Sequence, residues 1–267
     1  MKGRVVIPEH TSRYIGECIY CGAADNLTNE HIVPRGLGGS WELLSASCNE
    51  CAKIASGFER DVVREFFILV RTKLGLPTYH PKKRPDSFPF MVTIDGKEEV
   101  VDFPVPDCPT LFMMPQFKKP GYMRKDTQGK GILVTGMSLH GNENDLREFK
   151  TKYNIEGLSF TASLRTSFAR VLAKIAYGMT VFQYGLEMIE EAYVLPCILG
   201  KKDDVGQWVG CEDAHKSPDL LPREQFFHRI DLLTKKSEVG ARIRLFANYQ
   251  TSEYLVIVGR LKERQSL

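Results

Sequence analysis

CIYCG at residues 18–22 and CNEC at residues 48–51 are the two stretches that decide the fold of the N-terminal region. Each stretch holds two cysteines separated by two residues. Four thiolates in two such pairs complete a tetrahedral zinc site and leave no position for water, which makes the ion structural. A redox pair, the alternative, is expected within a βαβ pattern, and none surrounds these cysteines. The predicted zinc ligands are Cys18, Cys21, Cys48 and Cys51.

The composition of the chain is that of a soluble globular protein. Hydrophobic residues make up 43% of its 267 residues and charged residues 26%, which is an ordinary balance. No apolar run approaches the roughly 20 residues of a membrane-spanning helix, and the start, MKGRVVIPEH, lacks the apolar core of a secretory signal. We therefore expect a cytoplasmic protein with reduced thiols. Its three isolated cysteines are then expected to be small buried residues, at positions 108, 197 and 211.

Between the cysteine pairs lies TNEHIVPRGLGG, residues 28–39, which places Glu30 directly before His31. The first part is predicted to be a short strand, so the two side chains point to opposite faces. A carboxylate can bind a hard divalent cation, and a neutral imidazole can take a proton from water. Alternatively, Glu30 is a surface residue and His31 a structural histidine.

Taken together, CIYCG, NEHIVPRGLGG and ASCNECAKIASGFE resemble an HNH endonuclease domain over residues 18 to about 60. The resemblance implies a β-hairpin followed by a helix around one catalytic metal, the ββα-metal fold. It further implies that His31 is the general base that activates water. Glu30 is then a ligand of a catalytic Mg²⁺ or Mn²⁺ ion.

The sequence departs from the family pattern after the last cysteine. The family often has Asn or His there as the final metal ligand, whereas this chain has Ala52, which cannot bind a metal. The helix that follows offers Ser56 and Glu59 on roughly the same face. We select Glu59 as the second metal ligand, and the alternative is a glutamate that faces solvent.

The net charge of +3 permits a nucleic-acid partner without indicating one. The basic residues are concentrated in HPKKRP (80–85) and KKPGYMRKDTQGK (118–130). These stretches are either solvated loops or contacts to phosphates, which position a protein on DNA without reading its sequence. The residues expected to bind nucleic acid are Arg35, Lys53, Lys118, Lys119, Arg124 and Lys125.

The pattern of apolar residues predicts an α+β protein with a mostly antiparallel sheet in its C-terminal part. Residues 1–78 are expected to form the HNH domain, ending in one helix over 52–75 with Ile54, Phe58, Val62, Phe66 and Leu69 on its apolar face. Residues 79–267 form a second domain of unknown role. Its predicted elements are a hairpin over 90–103, strands over 110–117, 131–138, 226–233, 241–249 and 253–261, and helices over 142–154 and 161–185.

Two functions follow from these patterns. The first is a metal-dependent endonuclease that hydrolyses phosphodiester bonds, most simply in double-stranded DNA. Its C-terminal domain would bind substrate, a protein partner or a second subunit of a homodimer. The second is a non-catalytic DNA-binding or adaptor protein that keeps the zinc fold without the catalytic ion. Ala52 favours the second function and the Glu30–His31 pair favours the first. Outside this region, His215 among the acids of CEDAHKSPD (211–219) is the only candidate for a second metal site.

Overall fold

The computed structural model describes residues 10–125, 129–159, 166–212 and 227–263. Within these residues the chain is mixed α and β, as expected. The strands are β1 (Thr11–Tyr14), β2 (Leu27–His31), β3 (Trp41–Cys48), β4 (Ser87–Ile94), β5 (Lys97–Pro104), β6 (Leu111–Phe117), β7 (Val134–Gly141), β8 (Gly157–Ser159), β9 (Ile189–Ala192), β10 (Val209–Gly210), β11 (His228–Lys235), β12 (Glu238–Leu245) and β13 (Tyr254–Leu261). The helices are α1 (Asn49–Asp61), α2 (Ile68–Lys73), α3 (Gly121–Arg124), α4 (Glu143–Lys152), α5 (Ser167–Tyr184) and α6 (Leu195–Ile198).

The N-terminal region consists of a three-stranded sheet and the helix that follows it. Strands β2 and β3 are antiparallel, and β1 pairs with β3 in parallel. Helix α1 starts directly after β3, so the order of hairpin and helix is the one that the resemblance implies. In the register of β2 and β3, His31 lies opposite Glu42. Residues directly opposite each other in an antiparallel pair have their side chains on the same face, and this register therefore brings Glu42 to His31.

The helix predicted over residues 52–75 is interrupted. Helix α1 begins earlier, at Asn49, and a wider turn over Val62–Phe66 separates it from α2. In this turn the Phe67 N–H donates to the Val62 carbonyl five residues back, at 3.0 Å. Such a turn inserts one residue into the helical repeat and rotates everything after it. As a consequence, the fully buried positions beyond the turn are Phe67 and Val70 rather than the predicted Phe66 and Leu69.

The predicted apolar face of this helix is also wrong at its start. Ile54 is 39% exposed, whereas Ala55 and Phe58 are buried. The helix is anchored by Cys48, its N-cap residue, and Cys51 in its first turn. We attribute the exposure of Ile54 to this anchoring, because it fixes which face of the first two turns is directed inwards.

The remaining described strands form three further sheets. The expectation of a single sheet in the C-terminal part is therefore wrong, but the strands of all three sheets pair antiparallel, as expected. Their orders are β10-β13-β12-β11 with β9 also on β13, β5-β4-β8, and β6-β7. The predicted hairpin over 90–103 is confirmed: Asp95 and Gly96 form its turn with φ of +48° and +69°, as a two-residue hairpin loop requires. Helix α4 is capped by Asn142, whose side chain accepts from the Asn144 N–H.

Helix α5 connects the C-terminal sheets with the N-terminal region. It is buried along most of its length, in a core cluster that contains residues of both parts of the chain. Several of its polar side chains reach the N-terminal region: for example, Ser167 Oγ donates to Asp61 Oδ2 at 2.8 Å, and the Tyr177 hydroxyl donates to the Ile19 carbonyl at 2.5 Å. Residues 160–165, at the predicted start of this helix, lie outside the described residues. Among those described, no helix is both long and apolar enough to cross a membrane.

Two glycines of the N-terminal region, Gly39 and Gly57, have contrasting surroundings. A Cβ atom on Gly39 would lie 2.0 Å from the Val33 carbonyl oxygen, whereas one on Gly57, in α1, would meet no atom within 4 Å. We expect Gly39→Ala to lower the free energy of unfolding by about 2 kcal/mol, because backbone has to move. Gly57→Ala should raise it by roughly 0.5–1 kcal/mol through helix propensity. Urea unfolding measures both values, and a common sign for the two variants would contradict the packing described here.

Candidate functional site

Four cysteine sulfurs meet at one point in the N-terminal region. The sulfur atoms of Cys18, Cys21, Cys48 and Cys51 all lie within 4.8 Å of one another. The distance between the Cys21 and Cys48 sulfurs is 3.7 Å, close to the edge of about 3.8 Å of a tetrahedron with zinc–sulfur bonds of about 2.3 Å. Among the described residues this is the one group of three or more Cys, His, Asp or Glu side chains close enough to hold a metal. The predicted cluster is therefore present, and it could hold zinc.

Local structure explains why the four sulfurs converge. The first pair lies in a tight turn, closed by a hydrogen bond of 2.8 Å from the Gly22 N–H to the Cys18 carbonyl. Gly22 has a φ of +78°, a conformation that favours glycine. The second pair lies at the junction of β3 and α1, where Cys48 is the N-cap residue and Cys51 falls in the first helical turn.

His31 lies between the two cysteine pairs in the sequence, and its imidazole ring is bound by a carboxylate. Its Nε2 atom is 2.8 Å from Glu42 Oε1, and the other oxygen of Glu42 lies 2.9 Å from His10 Nε2. Burial lowers the pKa of His31, an effect that Glu42 opposes and that Lys174 and Arg35 reinforce. The imidazole is therefore neutral near pH 7. If Nε2 donates to Glu42, Nδ1 is the nitrogen that can accept a proton.

Glu30 and Glu59 converge on the ammonium group of Lys174, a residue of α5. The Nζ atom of Lys174 lies 2.6 Å from Glu30 Oε1 and 2.6 Å from Glu59 Oε1, and it also donates to the His31 carbonyl. The lysine side chain is 2% exposed, that of Glu30 9% and that of Glu59 22%. The prediction that Glu59 reaches the neighbourhood of Glu30 thus agrees with the structure, whereas the lysine between them was not foreseen.

Burial and charge act in opposite directions within this cluster. Burial raises the pKa of Glu30, and Lys174 lowers it while Glu59 raises it again. For Lys174, burial disfavours the charged form, but the two carboxylates outweigh this effect and raise its pKa. The ammonium group therefore stays charged, because it is the counter-ion that both carboxylates share.

A cavity of about 590 Å³ joins the predicted catalytic residues to a set of arginines. Glu30, His31 and Glu59 line it, and Ala52 lies on the same wall. The predicted phosphate contact Arg35 also lines it, with its guanidinium 5.4 Å from the centre of the Tyr79 ring. Ser56, which the sequence offered beside Glu59, also lines it, and the lining residues that the sequence did not indicate include Arg60, Arg64, Arg71 and Tyr79.

The arginines of the cavity differ in what they bind. Arg71 is held by three backbone carbonyls, those of Gly36, Val63 and Pro77, so it has a structural role. Arg60 and Arg64 are exposed side chains, and neither lies within ion-pair distance of an acidic side chain of the described residues. They recur with Ser56 at four-residue steps, a spacing that predicts one face of a continuous helix, and all three line the cavity although Arg64 lies in the wider turn. This spacing is the sequence signal that would have identified them.

The other predicted nucleic-acid contacts lie outside the cavity. Lys53 is exposed on α1, and the four basic residues over 118–125 lie at the end of β6 and on α3; none of them lines the cavity. By contrast, the basic stretch over 80–85 lies next to it, because His80, Lys83 and Arg84 line an adjoining cavity of about 380 Å³ that shares Arg64 and Arg71. His215 lies outside the described residues.

Comparison with known proteins gives one match, and it covers this site. Residues 18–66 match the family model of HNH endonucleases. No curated protein and no solved structure matches the chain. The matched residues include all four cysteines, the Glu30–His31 pair and Glu59, but not Lys174. The N-terminal part of this chain therefore carries an HNH endonuclease domain with a four-cysteine cluster that could hold zinc.

Proposed function

We propose that this protein is an endonuclease that hydrolyses phosphodiester bonds in DNA, with His31 as its general base. One observation carries the proposal. A neutral, partly exposed imidazole, bound by Glu42, lies on the wall of an arginine-lined cavity within the residues that match the HNH family.

The residues of the cavity divide the chemistry among them. The free nitrogen of His31 takes the proton from the attacking water, and Glu42 holds the ring and stabilises the imidazolium that forms. Arg60 and Arg64 bind the non-bridging oxygens of the phosphate, where their charge offsets the negative charge that grows in the transition state. Arg35 extends this positive wall beside Tyr79. The cavity thus combines a base with a phosphate-binding surface.

A catalytic Mg²⁺ or Mn²⁺ ion fits the donors on the cavity wall. Glu30 and Glu59 offer carboxylate oxygens, the ligands that such ions prefer. Together with the His31 carbonyl, these carboxylates already surround one cation, the ammonium of Lys174. We propose Glu30 and Glu59 as the residues that hold the divalent ion. When bound, the ion would stabilise the charge on the phosphate and the leaving oxygen.

The four-cysteine cluster is proposed to hold a structural zinc ion. It has no open position for water, and its four ligands connect the turn before β2 to the start of α1. Binding free energy of the metal then becomes folding free energy of this region. The zinc would therefore fix β2 and α1 relative to each other, and with them the distance between Glu30 and Glu59.

A second function, a DNA-binding protein without catalysis, is favoured by one specific observation. Lys174 occupies the oxygens of the carboxylate pair, and Ala52 supplies no ligand on the same wall. In this alternative the arginines bind DNA, and His31 is a structural residue. Lys53 and the basic residues over 118–125 would then serve as additional contacts to phosphates, as they would in the nuclease.

The nuclease proposal is tested by cleavage of supercoiled plasmid in the presence of Mg²⁺ or Mn²⁺. Removal of a general base lowers rates by about 10²–10⁴-fold, so we expect a loss of this size for His31→Ala. His10→Ala is the matched control, because His10 binds the other oxygen of Glu42 and does not line the cavity. It should retain most of the wild-type rate. Equal nicking by the wild type and His31→Ala, or no nicking by either, would support the non-catalytic alternative.

The phosphate-binding role of the cavity is tested by Arg64→Gln. Loss of one phosphate contact should weaken DNA binding and reduce the slope of log K against log salt concentration by about one. Arg147→Gln on α4 is the control, since Arg147 is equally exposed and bonds only to Asn144 within its own helix. Fluorescence anisotropy with a labelled duplex measures both variants. The same salt slope for Arg64→Gln and Arg147→Gln would rule out a phosphate contact at Arg64.

The zinc assignment is tested by comparing two cysteines. Cys48→Ser should remove about one zinc ion per chain and destabilise the N-terminal region, because four ligands are needed to close the site. Cys108→Ser should keep the zinc, because Cys108 lies in another core cluster. Metal analysis and thermal unfolding provide the two readouts. Unchanged zinc content and stability in Cys48→Ser would show that the four sulfurs do not share an ion.

A further inference from the structure

The side chain of Lys174 binds two residues of the cavity wall without lining the cavity itself, and no part of the proposed chemistry uses it. It belongs to α5 and lies 115 residues after Glu59 in the sequence. The side chain is 2% exposed. Its ammonium group donates a hydrogen bond to the His31 carbonyl and lies within ion-pair distance, 2.6 Å, of Glu30 Oε1 and of Glu59 Oε1. The close partners of the group are therefore residues of the site.

The charges of this cluster do not balance. Two carboxylates share one ammonium, and the cluster keeps one negative charge if all three groups are ionised. Without a counter-ion, the buried carboxylate of Glu30 and the partly buried one of Glu59 would repel each other at considerable cost. Lys174 thus holds the acids together and also cancels half of the charge that would attract a divalent ion.

We propose that Lys174 is a positioning residue of the nuclease site, a fixed cation that holds Glu30 and Glu59 side by side and weakens the binding of a divalent ion to them. The inference rests on the proposed function for the identity of the site. The ammonium group stays with the inner oxygens of the carboxylates. The divalent ion binds from the cavity, where Glu30, His31 and Glu59 form part of the wall.

The role predicts an effect opposite to that of an ordinary structural residue. Replacement of a residue that only supports the fold loosens a metal site. Lys174→Met removes the competing positive charge while keeping a long side chain, and it should tighten Mn²⁺ binding by at least about tenfold, or about 1.4 kcal/mol, since a unit charge a few ångströms away contributes more than that at protein dielectric constants. Isothermal titration of the zinc-loaded full chain with Mn²⁺, in the absence of DNA, measures this affinity.

The control is Lys152→Met, which removes another lysine that is bound to a carboxylate, Asp107, at 2.7 Å. This pair lies next to Cys108, whose core cluster is separate from the one that contains α5, and it does not line the cavity. Its loss should therefore leave Mn²⁺ affinity unchanged. A folded Lys174→Met variant with unchanged or weaker Mn²⁺ affinity would overturn the proposal. Mn²⁺ binding is measured without substrate. If Lys174→Met binds Mn²⁺ more tightly but the protein cleaves no DNA, the role of Lys174 is supported and only the proposed nuclease activity is contradicted.

A second measurement applies if Lys174→Met does not fold. Crystals of the intact protein are soaked in Mn²⁺, and the ion is located by its anomalous signal. We expect the ammonium to remain between Glu30 and Glu59, with the ion on the cavity side of the carboxylates. An ion at the present position of Nζ, with the lysine displaced, would show that Lys174 is not fixed and would overturn the proposal.

Discussion

Two neighbouring carboxylates that share one buried ammonium group, a buried one on Glu30 and a partly buried one on Glu59, are the constraint on which the arrangement of this protein depends. Glu30 on β2 and Glu59 on α1 belong to the same short domain, yet neither strand nor helix provides a cation for them. The cation comes from α5, far along the chain. Because an unpaired buried charge is costly, α5 has to cross the N-terminal region at the level of Lys174. The Ser167–Asp61 and Tyr177–Ile19 bonds extend this contact in both directions.

The parts of the site that the sequence predicts are those set by local geometry. Two cysteines separated by two residues need only a turn or a helix start to present both sulfurs, and the structure provides one of each. Alternation along a strand separates Glu30 from His31, which was also expected. Even Glu42 follows from local rules once the register of the hairpin is known, because it lies directly opposite His31. The sequence alone does not give that register, which includes a bulge between Thr28 and Glu30.

The parts that could not be predicted depend on contacts between distant segments. Nothing around Lys174 in the sequence distinguishes it from the apolar helix in which it lies. The wider turn over Val62–Phe66 has no proline or similar signal, yet it rotates the following residues by one position and directs Phe67 and Val70 to the core. Arg71, beyond the same turn, binds three carbonyls, including that of Gly36 in the loop after His31. A continuous helix would have placed Arg71 on a different face.

The residues of the cavity come from segments on both sides of the family match. Residues 18–66 provide His31, its partner Glu42, the acidic pair and two arginines that have no acidic partner among the described residues. The stretch over 77–80 closes the other side of the cavity with Tyr79 and His80, and α5 provides the cation behind the acids. The residues that we propose for catalysis thus lie within the family match, whereas the cation that binds the two carboxylates does not. A domain cut after residue 66 would leave Glu30 and Glu59 without their counter-ion, and the repulsion between them would act against the packing of β2 and α1 that brings them together.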